Sequence, residues 1–470
     1  MAKLEKSVQA VTRRRLMQGA AATGVAAAVM PWSARTASAQ GKTLRAGITG
    51  YHVINTLDPG KANLIPEAYV VWGTHNALVK FNAKMEIVPD LAESFRYADP
   101  TTLEVKLRSG VKFHDGSTMT AEDVKFSFER LQDEKYGSAH KSKFASVTAI
   151  ETPDATTVRF KTKDPYAPLL AFLTNTRTGA QIVPKKAFTE MGPDQFGKTP
   201  IGTGAFKIKE WKSGEKVSLV VHADYFGGAP AMAAVEIPLI QEEKSGVTAI
   251  LGKQIDLTST APFDDIPDLE KKGEVQVMKQ AGLNCRFVHM NLRKPPFDDV
   301  HFRRAVSMAF DRNALVAAVL FGEGVATPGL IPPSLTLAYG GKAQELASFN
   351  PSKAKAELAK SKYKAGTEGK VLTWGAGWWK RFAEVVVAQV NQTLGTKLTV
   401  EVSDANAVFQ RLKAGDYQAS IWGWLGLIDP HEYIGENLHT KGWRNFGGYS
   451  NPKLDALIDA ALQELDPRKR

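Results

Sequence analysis

The stretch WGWLGLIDP, residues 422–430, places Trp422 and Trp424 one residue apart on a backbone that also carries two glycines. Aromatic rings whose neighbours are glycines, which have no side chains, can form a surface on which a flat or apolar ligand stacks. The same spacing also fits a buried strand, so periodicity alone leaves a binding surface and a core both possible. A second cluster, WGAGWWK at residues 374–380, repeats the combination. Stacking is therefore the first chemistry that this chain indicates.

Patterns for catalysis or metal binding are missing from the sequence. The nine histidines form no HExxH motif and no pair four residues apart, the spacing that holds a metal on a helix. Asp429, His431 and Glu432 lie close together in DPHEY, but without a rigid helical spacing. No GxSxG nucleophile motif occurs. The single Cys285 excludes an internal disulfide and a multi-cysteine metal site, and we interpret it as a small buried hydrophobic residue. We expect no catalytic residues, no metal and no cofactor.

The stretch GPDQFGKT, residues 192–199, matches the letters of a phosphate-binding loop. Such a loop needs a strand before it and a helix after it, so that helix N–H groups point at the phosphates. Here the preceding VPKKAFTEMG reads as helix, and AFKIKEW, which follows, alternates like a strand. The match is therefore interpreted as accidental.

A second segment with apparent chemistry is FHDGSTMTAEDVKFSFERL, residues 113–131. His114 and Asp115 could form a base and its orienting partner. However, Asp-Gly is a turn signal, and Thr120 with Asp123 three residues later is close to a capping box. The segment therefore predicts a helix start.

Residues 295–322 read as two further helices. Asp298 or Asp299 should cap the first helix, and Asp311 should cap the second. We therefore expect these two helices to be structural elements without a chemical role.

Composition indicates a globular protein with more than one domain. A chain of 470 residues suggests two or three domains. Its content of 43% hydrophobic and 23% charged residues is typical of a soluble globular protein. About half of the net charge of +11 lies in the first 39 residues, and no long basic run follows. We therefore expect no nucleic-acid partner.

The first 39 residues read as a signal peptide. Arg13 and Arg14 stand at the spacing of a twin-arginine signal, and the uncharged run 19–30 is too short to span a bilayer. Ala-Ser-Ala at 37–39 suits signal peptidase, which should cut before Gln40. No later segment offers the roughly 18 apolar residues of a membrane helix. We expect a soluble, periplasmic monomer, exported by the twin-arginine route.

Strand-like segments and capped helices alternate without an internal repeat, which indicates a mixed α/β architecture. The order of several segments closely resembles the extracellular solute-binding proteins of family 5, the peptide/nickel/opine-binding class that feeds ABC importers. The segments are TLDPG (56–60), VPDLAESF (88–95), LEVKLRSGVKFHDGSTMTAEDVKFSFERL (103–131), PIGTGAFKIKEW (200–211), HADYFGGAP (222–230), ILGKQIDLTST (250–260), PPFDDVHFRRAVSMAFDRNAL (295–315), GDYQASIWGWLGLIDP (415–430) and GGYSNPKLDALIDAAL (447–462).

The resemblance implies the two-lobed α/β fold of periplasmic binding proteins, with an extra domain inserted in the first lobe and the ligand cleft between the lobes. It implies a first lobe formed by residues 40–78 and 195–280, an inserted domain at residues 79–194, and a second lobe at residues 281–470. Members of the family continue beyond the position at which this chain ends, and that tail completes the first lobe. We therefore expect this return to be missing and the chain to be a fragment.

The resemblance also implies that WGWLGLIDP faces the cleft. The candidate ligand-binding residues are then Trp424, Trp422, Trp378, Trp379 and Tyr51. Members that hold a peptide by its free amine carry an acidic residue just before the Asp-Pro, where this chain has Gly426, Leu427 and Ile428. A neutral, sugar-like or more apolar solute, or a peptide held in another way, is therefore favoured.

We expect a periplasmic solute-binding protein that captures a small molecule or peptide by lobe closure and delivers it to an ABC permease in the inner membrane. An oligopeptide binder that uses backbone contacts is the alternative within the class. A secreted α/β hydrolase is an alternative from another class, and it would need two cleft carboxylates or a Ser-His pair. A sensory binding protein that reports to a membrane receptor is a third possibility.

Overall fold

The structure is a computed structural model that describes residues 41–470 apart from residues 52, 328, 336–347, 376 and 426–427. The predicted signal peptide, residues 1–39, lies outside the described residues. Helices and strands alternate along the described chain, which confirms the mixed α/β architecture. None of the described helices is long and apolar enough to cross a membrane.

The described strands form four sheets. They are β1 Thr43–Thr49, β2 Val79–Phe81, β3 Ile87–Pro89, β4 Ala92–Asp99, β5 Thr102–Leu107, β6 Val147–Asp154, β7 Thr157–Thr162, β8 Phe206–Lys212, β9 Lys216–Val221, β10 Ala234–Ile240, β11 Leu257–Thr258, β12 Cys285–Met290, β13 Glu368–Trp374, β14 Lys397–Ser403 and β15 Ala419–Trp424.

The described helices lie between these strands or after the last of them, and a 3₁₀ turn spans Lys141–Phe144. They are α1 Ile65–Thr74, α2 Ala121–Gln132, α3 Leu169–Phe172, α4 Lys185–Phe196, α5 Glu243–Leu251, α6 Ile266–Lys272, α7 Val300–Ala309, α8 Arg312–Leu320, α9 Pro351–Lys360, α10 Trp378–Leu394, α11 Ala405–Ala414, α12 Pro430–Tyr433, α13 Gly435–Leu438 and α14 Pro452–Gln463.

A five-stranded sheet of order β11-β1-β10-β9-β8 draws on residues 43–258. Strand β1 runs parallel to β10 and β11, whereas β8, β9 and β10 are antiparallel. An antiparallel sheet of order β4-β5-β7-β6 draws on residues 92–162 and packs against α2. Each sheet has its own buried apolar cluster. The domain boundaries that the resemblance implies stay predictions.

The third large sheet has the order β12-β15-β13-β14. Strand β13 is parallel to both β14 and β15, so the carboxyl ends of these three strands lie at the same edge. Helix α10 packs on β13, β14 and β15, α7 packs on α9 and α10, and these elements share one apolar core. In open α/β sheets, ligands bind outside the carboxyl ends of the strands. The edge at which β13 and β15 end, with Trp374 and Trp424, is therefore the candidate location of a site.

Local side-chain hydrogen bonds confirm the predicted helix starts. Both the backbone N–H and the hydroxyl of Thr120 donate to Asp123 over 2.9 Å at the start of α2. Asp299 accepts from the backbone N–H of Phe302 at the start of α7. Asp311 accepts from two backbone N–H groups at the start of α8. These carboxylates satisfy backbone donors that a helix leaves free.

The structure also confirms that GPDQFGKT is not a phosphate-binding loop. The segment begins inside α4, where Gly192 has φ 75° and interrupts the helix, and a strand follows at Phe206. Strand and helix therefore stand in the reverse of the order that phosphate binding requires.

The Asp-Pro of TLDPG is the centre of a buried polar network. Asp58 is fully buried and accepts from Arg130 Nη1 over 2.9 Å, from Tyr136 Oη over 2.6 Å and from the Gly60 N–H over 3.1 Å. The Arg130 guanidinium also lies 4.7 Å from the centre of the Phe188 ring. This network ties the loop after β1 to helices α2 and α4.

Buried histidines predict a loss of stability in acid. Burial lowers the pKa of His140, which is 3% exposed, to about 4, and the pKa values of His114 and His289 are lowered to about 4 for the same reason. An unfolded histidine titrates near 6.5, so the unfolded chain binds more protons between these values. Stability should therefore fall as the pH drops from about 6.5 to about 4, by up to about 3 kcal/mol from His140 at about 1.4 kcal/mol per pKa unit.

Urea unfolding at several pH values in this window measures the effect. The variant His140→Gln, which cannot take up a proton, should show a shallower dependence on pH than the wild-type protein. Identical pH dependence of the two proteins would contradict this role of His140.

Candidate ligand-binding site

Strand pairing explains the glycine between the two tryptophans. Strands β12 and β15 run antiparallel, with Cys285 opposite Trp424 and Arg286 opposite Gly423. A Cβ atom on Gly423 would lie 2.4 Å from both Arg286 Cδ and the Cys285 carbonyl oxygen. The glycine therefore leaves room for the Arg286 side chain to cross the end of β15.

Trp422 lies below this edge and is only 6% exposed. Its ring packs 5.3 Å from Trp374, 5.7 Å from Phe409 and 5.6 Å from Trp424, measured between ring centres. Trp374 is half-buried in the same cluster. Trp422 thus supports the ring of Trp424, and its own contact with a ligand stays a prediction.

Trp424 is half-buried and held in one orientation. Its Nε1 donates to Asn437 Oδ1 over 2.8 Å. The Arg444 guanidinium lies 4.2 Å from the Trp424 ring centre and 4.6 Å from that of Trp443, between the two indoles. A Glu436 oxygen lies 3.0 Å from Arg444 Nε, so this cation has a counter-ion. Trp443 is 53% exposed and extends the aromatic surface into solvent.

Trp378 and Trp379 form a second aromatic unit at the start of α10. Their rings stack with centres 4.4 Å apart and planes inclined by 19°. Trp379 also lies 4.2 Å from Trp374 at the end of β13. The Arg286 guanidinium lies 5.3 Å from Trp378 and 4.8 Å from Trp379, within the range of cation–π attraction. The two tryptophan clusters of the sequence therefore meet at one edge of the sheet, through Trp374 and Arg286.

Tyr51, which follows β1, lies near the same arginine. Burial raises the pKa of the Tyr51 phenol, and Tyr69 adds to this, whereas Arg177 and Arg286 lower it. Tyr51 belongs to the predicted first lobe and Arg286 to the predicted second lobe, so the two predicted lobes interact electrostatically at this point. Phe263, beside α6, is a further contact of this kind, with its ring 6.4 Å from that of Trp378.

The Asp-Pro at the end of WGWLGLIDP begins a short helix. Asp429 accepts from the His431 N–H over 2.8 Å at the start of α12. Glu432, 1% exposed, accepts from the backbone N–H of Ile428 and from Lys143. Burial would raise the pKa of Glu432, but Lys143 and this backbone donor outweigh burial and hold the pKa below its usual value. Gly426 and Leu427 lie outside the described residues.

The interpretation of Cys285 as a buried residue needs correction. Its side chain is half-buried at the start of β12, opposite Trp424. Burial raises the pKa of the thiol, although the nearby Arg286 and Arg444 act against it. The residue lies at the edge of the candidate site because β12 begins there.

Sequence reasoning missed the arginines of the site, Arg177, Arg286 and Arg444. Arg286 is a charged residue within the otherwise mostly apolar strand β12, CRFVHM. This position could have indicated from the sequence that an arginine lies at the site. No group of three possible metal ligands occurs among the described residues, and the DPHEY segment is part of that search.

The sheet edge, its aromatic clusters and the surrounding α/β layers define the class of periplasmic-type binding proteins, which hold a solute and do not transform it. The family model of the bacterial extracellular solute-binding proteins, family 5 Middle, matches residues 86–445. The chain belongs to this family.

Similarity to individual proteins covers most of the chain. The probable D,D-dipeptide-binding periplasmic protein DdpA of Escherichia coli is 28% identical over 431 residues, which are 88% of this chain and 82% of that protein. Heme-binding protein A of Haemophilus influenzae is 28% identical over 433 residues, 84% of this chain and 77% of that protein. The solved structure of MoaA from A. tumefacien R10, in complex with mannopinic acid, has a TM-score of 0.74 at 28% identity, over 91% of this chain and 88% of that chain.

These findings confirm the resemblance and the fold class. The protein is a solute-binding component of an ABC importer for peptides or small organic molecules. Membership of a binding-protein family also sets aside the hydrolase alternative.

Proposed function

We propose that the protein is exported by its twin-arginine signal peptide, captures a small solute between two lobes and delivers it to an ABC permease in the inner membrane. The first lobe comprises residues 40–78 and 195–280, with an inserted domain at residues 79–194, and the second lobe comprises residues 281–470. Closure of the lobes excludes water from the solute, and the closed form is the one that the permease recognises.

The observation that carries this proposal is the meeting of aromatic and charged groups from both segments at the carboxyl edge of β13 and β15. Phe263 approaches Trp378, and Tyr51 lies within electrostatic reach of Arg286. We assign the walls of the site to Trp424, Trp378, Trp379 and Tyr51, with Trp422 beneath them. A solute with a flat or apolar face gains contact area on such rings at little cost in side-chain entropy.

A separate cavity of about 280 Å³ includes Glu436 and Trp443 in its lining but none of the wall residues assigned above. The relatives are named for binding a D,D-dipeptide and heme, and MoaA holds mannopinic acid. We propose a peptide or small organic molecule for this chain as well. Recognition of a free amine by Glu432 is disfavoured, because Lys143 already neutralises this carboxylate.

Native mass spectrometry of the protein purified from its own periplasm tests the proposal. We expect a polypeptide that begins at Gln40 and carries an added mass that disappears on denaturation. The released compound identifies the solute. A protein that retains residues 1–39, or that carries no small molecule after incubation with its culture medium, would contradict the export route or the solute capture, respectively.

A further inference from the structure

Arg286 carries a charge for which the described part of the chain provides no counter-ion. Its Nη1 donates to the carbonyl oxygens of Cys285 and Trp424 over 2.9 and 3.1 Å. Its Nε is buried without a hydrogen-bond partner. No carboxylate of the described residues lies within 4.0 Å of its guanidinium. Burial lowers the pKa of Arg286 to about 10, which reflects the cost of keeping the charge there. Buried charges in proteins are normally paired, so Arg286 is an exception that calls for a partner.

One edge of the Arg286 guanidinium has no hydrogen-bond partner within the described part of the chain. Because Nη1 is occupied by backbone carbonyls, the unused donors of Arg286 are those on Nε and Nη2. These two N–H groups point in parallel and match the two oxygens of a carboxylate, the bidentate geometry that arginine offers better than any other side chain. The stacked indoles of Trp378 and Trp379 hold the guanidinium in place.

A second arginine, Arg177, acts on the same tyrosine, and Glu67 and Glu432 attract its charge from beyond ion-pair distance. Arg177 bonds to the backbone and side-chain oxygens of Asn63, and its Nε is also buried without a partner. No ion pair joins Arg177 to a described carboxylate within 4.0 Å. Both Arg177 and Arg286 act on the phenol of Tyr51, so the two cations approach one region.

The carboxylates near this region are already engaged. Glu67 accepts from the backbone N–H groups of Asn55, Asn63 and Leu64. Glu432 is bonded to Lys143, and Glu436 is paired with Arg444. Glu243, which also acts on Tyr51, accepts from Thr260 Oγ1 over 3.3 Å. None of these carboxylates therefore forms an ion pair with Arg286, whose Nε stays without a hydrogen-bond partner.

We propose that the site selects solutes that carry a carboxylate group, with Arg286 binding this group through its Nε and Nη2 edge and Arg177 adding a second positive charge. This inference rests on the solute-binding function proposed above and narrows it to acidic solutes. The flat or apolar part of the solute then stacks on the tryptophans. The carboxylate supplies the counter-ion that Arg286 lacks, so binding is coupled to relief of an uncompensated charge.

Calorimetric titration with a matched pair, indole-3-acetate and indole-3-acetamide, tests the proposal on the mature protein. The two probes share a flat ring and differ in charge. We expect the acid to bind at least about tenfold more tightly than the amide, a difference of about 1.4 kcal/mol. This preference should disappear in Arg286→Gln and weaken in Arg177→Gln. The control Arg303→Gln should keep it, because Arg303 also donates to a backbone carbonyl, that of Phe297, but lies outside the site. Circular dichroism establishes that each variant is folded.

Three results would overturn the proposal: equal affinities for the acid and the amide, a preference that persists in both site variants, or no binding of the acid up to about 10 mM. A neutral or cationic solute released from the periplasmic protein would also overturn it. In each of these cases a solute retained in native mass spectrometry would leave the importer function standing, so the two failures can be told apart.

Discussion

Replacing Asp58 with alanine is expected to lower the free energy of unfolding by about 3–5 kcal/mol, the usual cost of removing one partner of a buried ion pair. The carboxylate is fully buried and accepts hydrogen bonds from Arg130, Tyr136 and Gly60. Without it, the Arg130 charge would remain in the interior with no counter-ion, since its side chain is only 4% exposed. Two other nitrogens of Arg130 already lack a hydrogen-bond partner.

Urea unfolding at neutral pH measures this loss. A matched control is Asp115→Ala, because Asp115 is an exposed aspartate that bonds to Ser117 within its own turn. The control should cost less than about 1 kcal/mol. Comparable losses in the two variants would show that the Asp58 network does not hold the loop, α2 and α4 together.

The second large effect concerns binding. Trp424→Ala is expected to weaken binding of the solute released from the wild-type protein by about 10- to 100-fold, since aromatic side chains at the centre of a site contribute most of the contact energy. The fold should persist, because Trp424 is half-buried and Trp422 below it retains its contacts with Trp374 and Phe409. Calorimetry gives the affinity, and thermal unfolding gives the stability.

A suitable control for this variant is Trp211→Ala. Trp211 is a half-buried tryptophan on β8, in the five-stranded sheet and not at the proposed site. It should lose stability without losing affinity. Unchanged affinity in Trp424→Ala would remove this residue from the site, and an unfolded variant would make its ring part of the core.

These experiments separate two kinds of aromatic residue that look alike in the sequence. Trp422 and Trp424 share a face of β15 by the two-residue period of a strand. Trp422 is enclosed by Trp374 and Phe409, whereas Trp424 stands at the end of the strand beside Arg444. How far each ring lies from the sheet edge depends on its neighbours on other strands and helices, and the strand's own sequence does not contain that information.

The sequence by itself determined the features that depend on residues a few positions apart. The start of α2 at Thr120 and Asp123 and the start of α7 at Asp299 follow from local hydrogen bonds. The order of the longer segments also determined the family. These features could be predicted because each requires only side chains and backbone groups within one turn, or a pattern along the chain.

Only the tertiary structure decided which charges are paired. Asp58 meets Arg130 across 72 positions of the chain, and Arg286 reaches the carbonyl of Trp424 across 138 positions. Glu432 pairs with Lys143, 289 positions away along the chain, and no described carboxylate lies within 4.0 Å of the Arg286 guanidinium. Burial and charge pairing arise from contacts between distant segments, and electrostatic energy depends on the distance in space and on the exclusion of water. The missing counter-ion of Arg286 is for this reason a property of the fold.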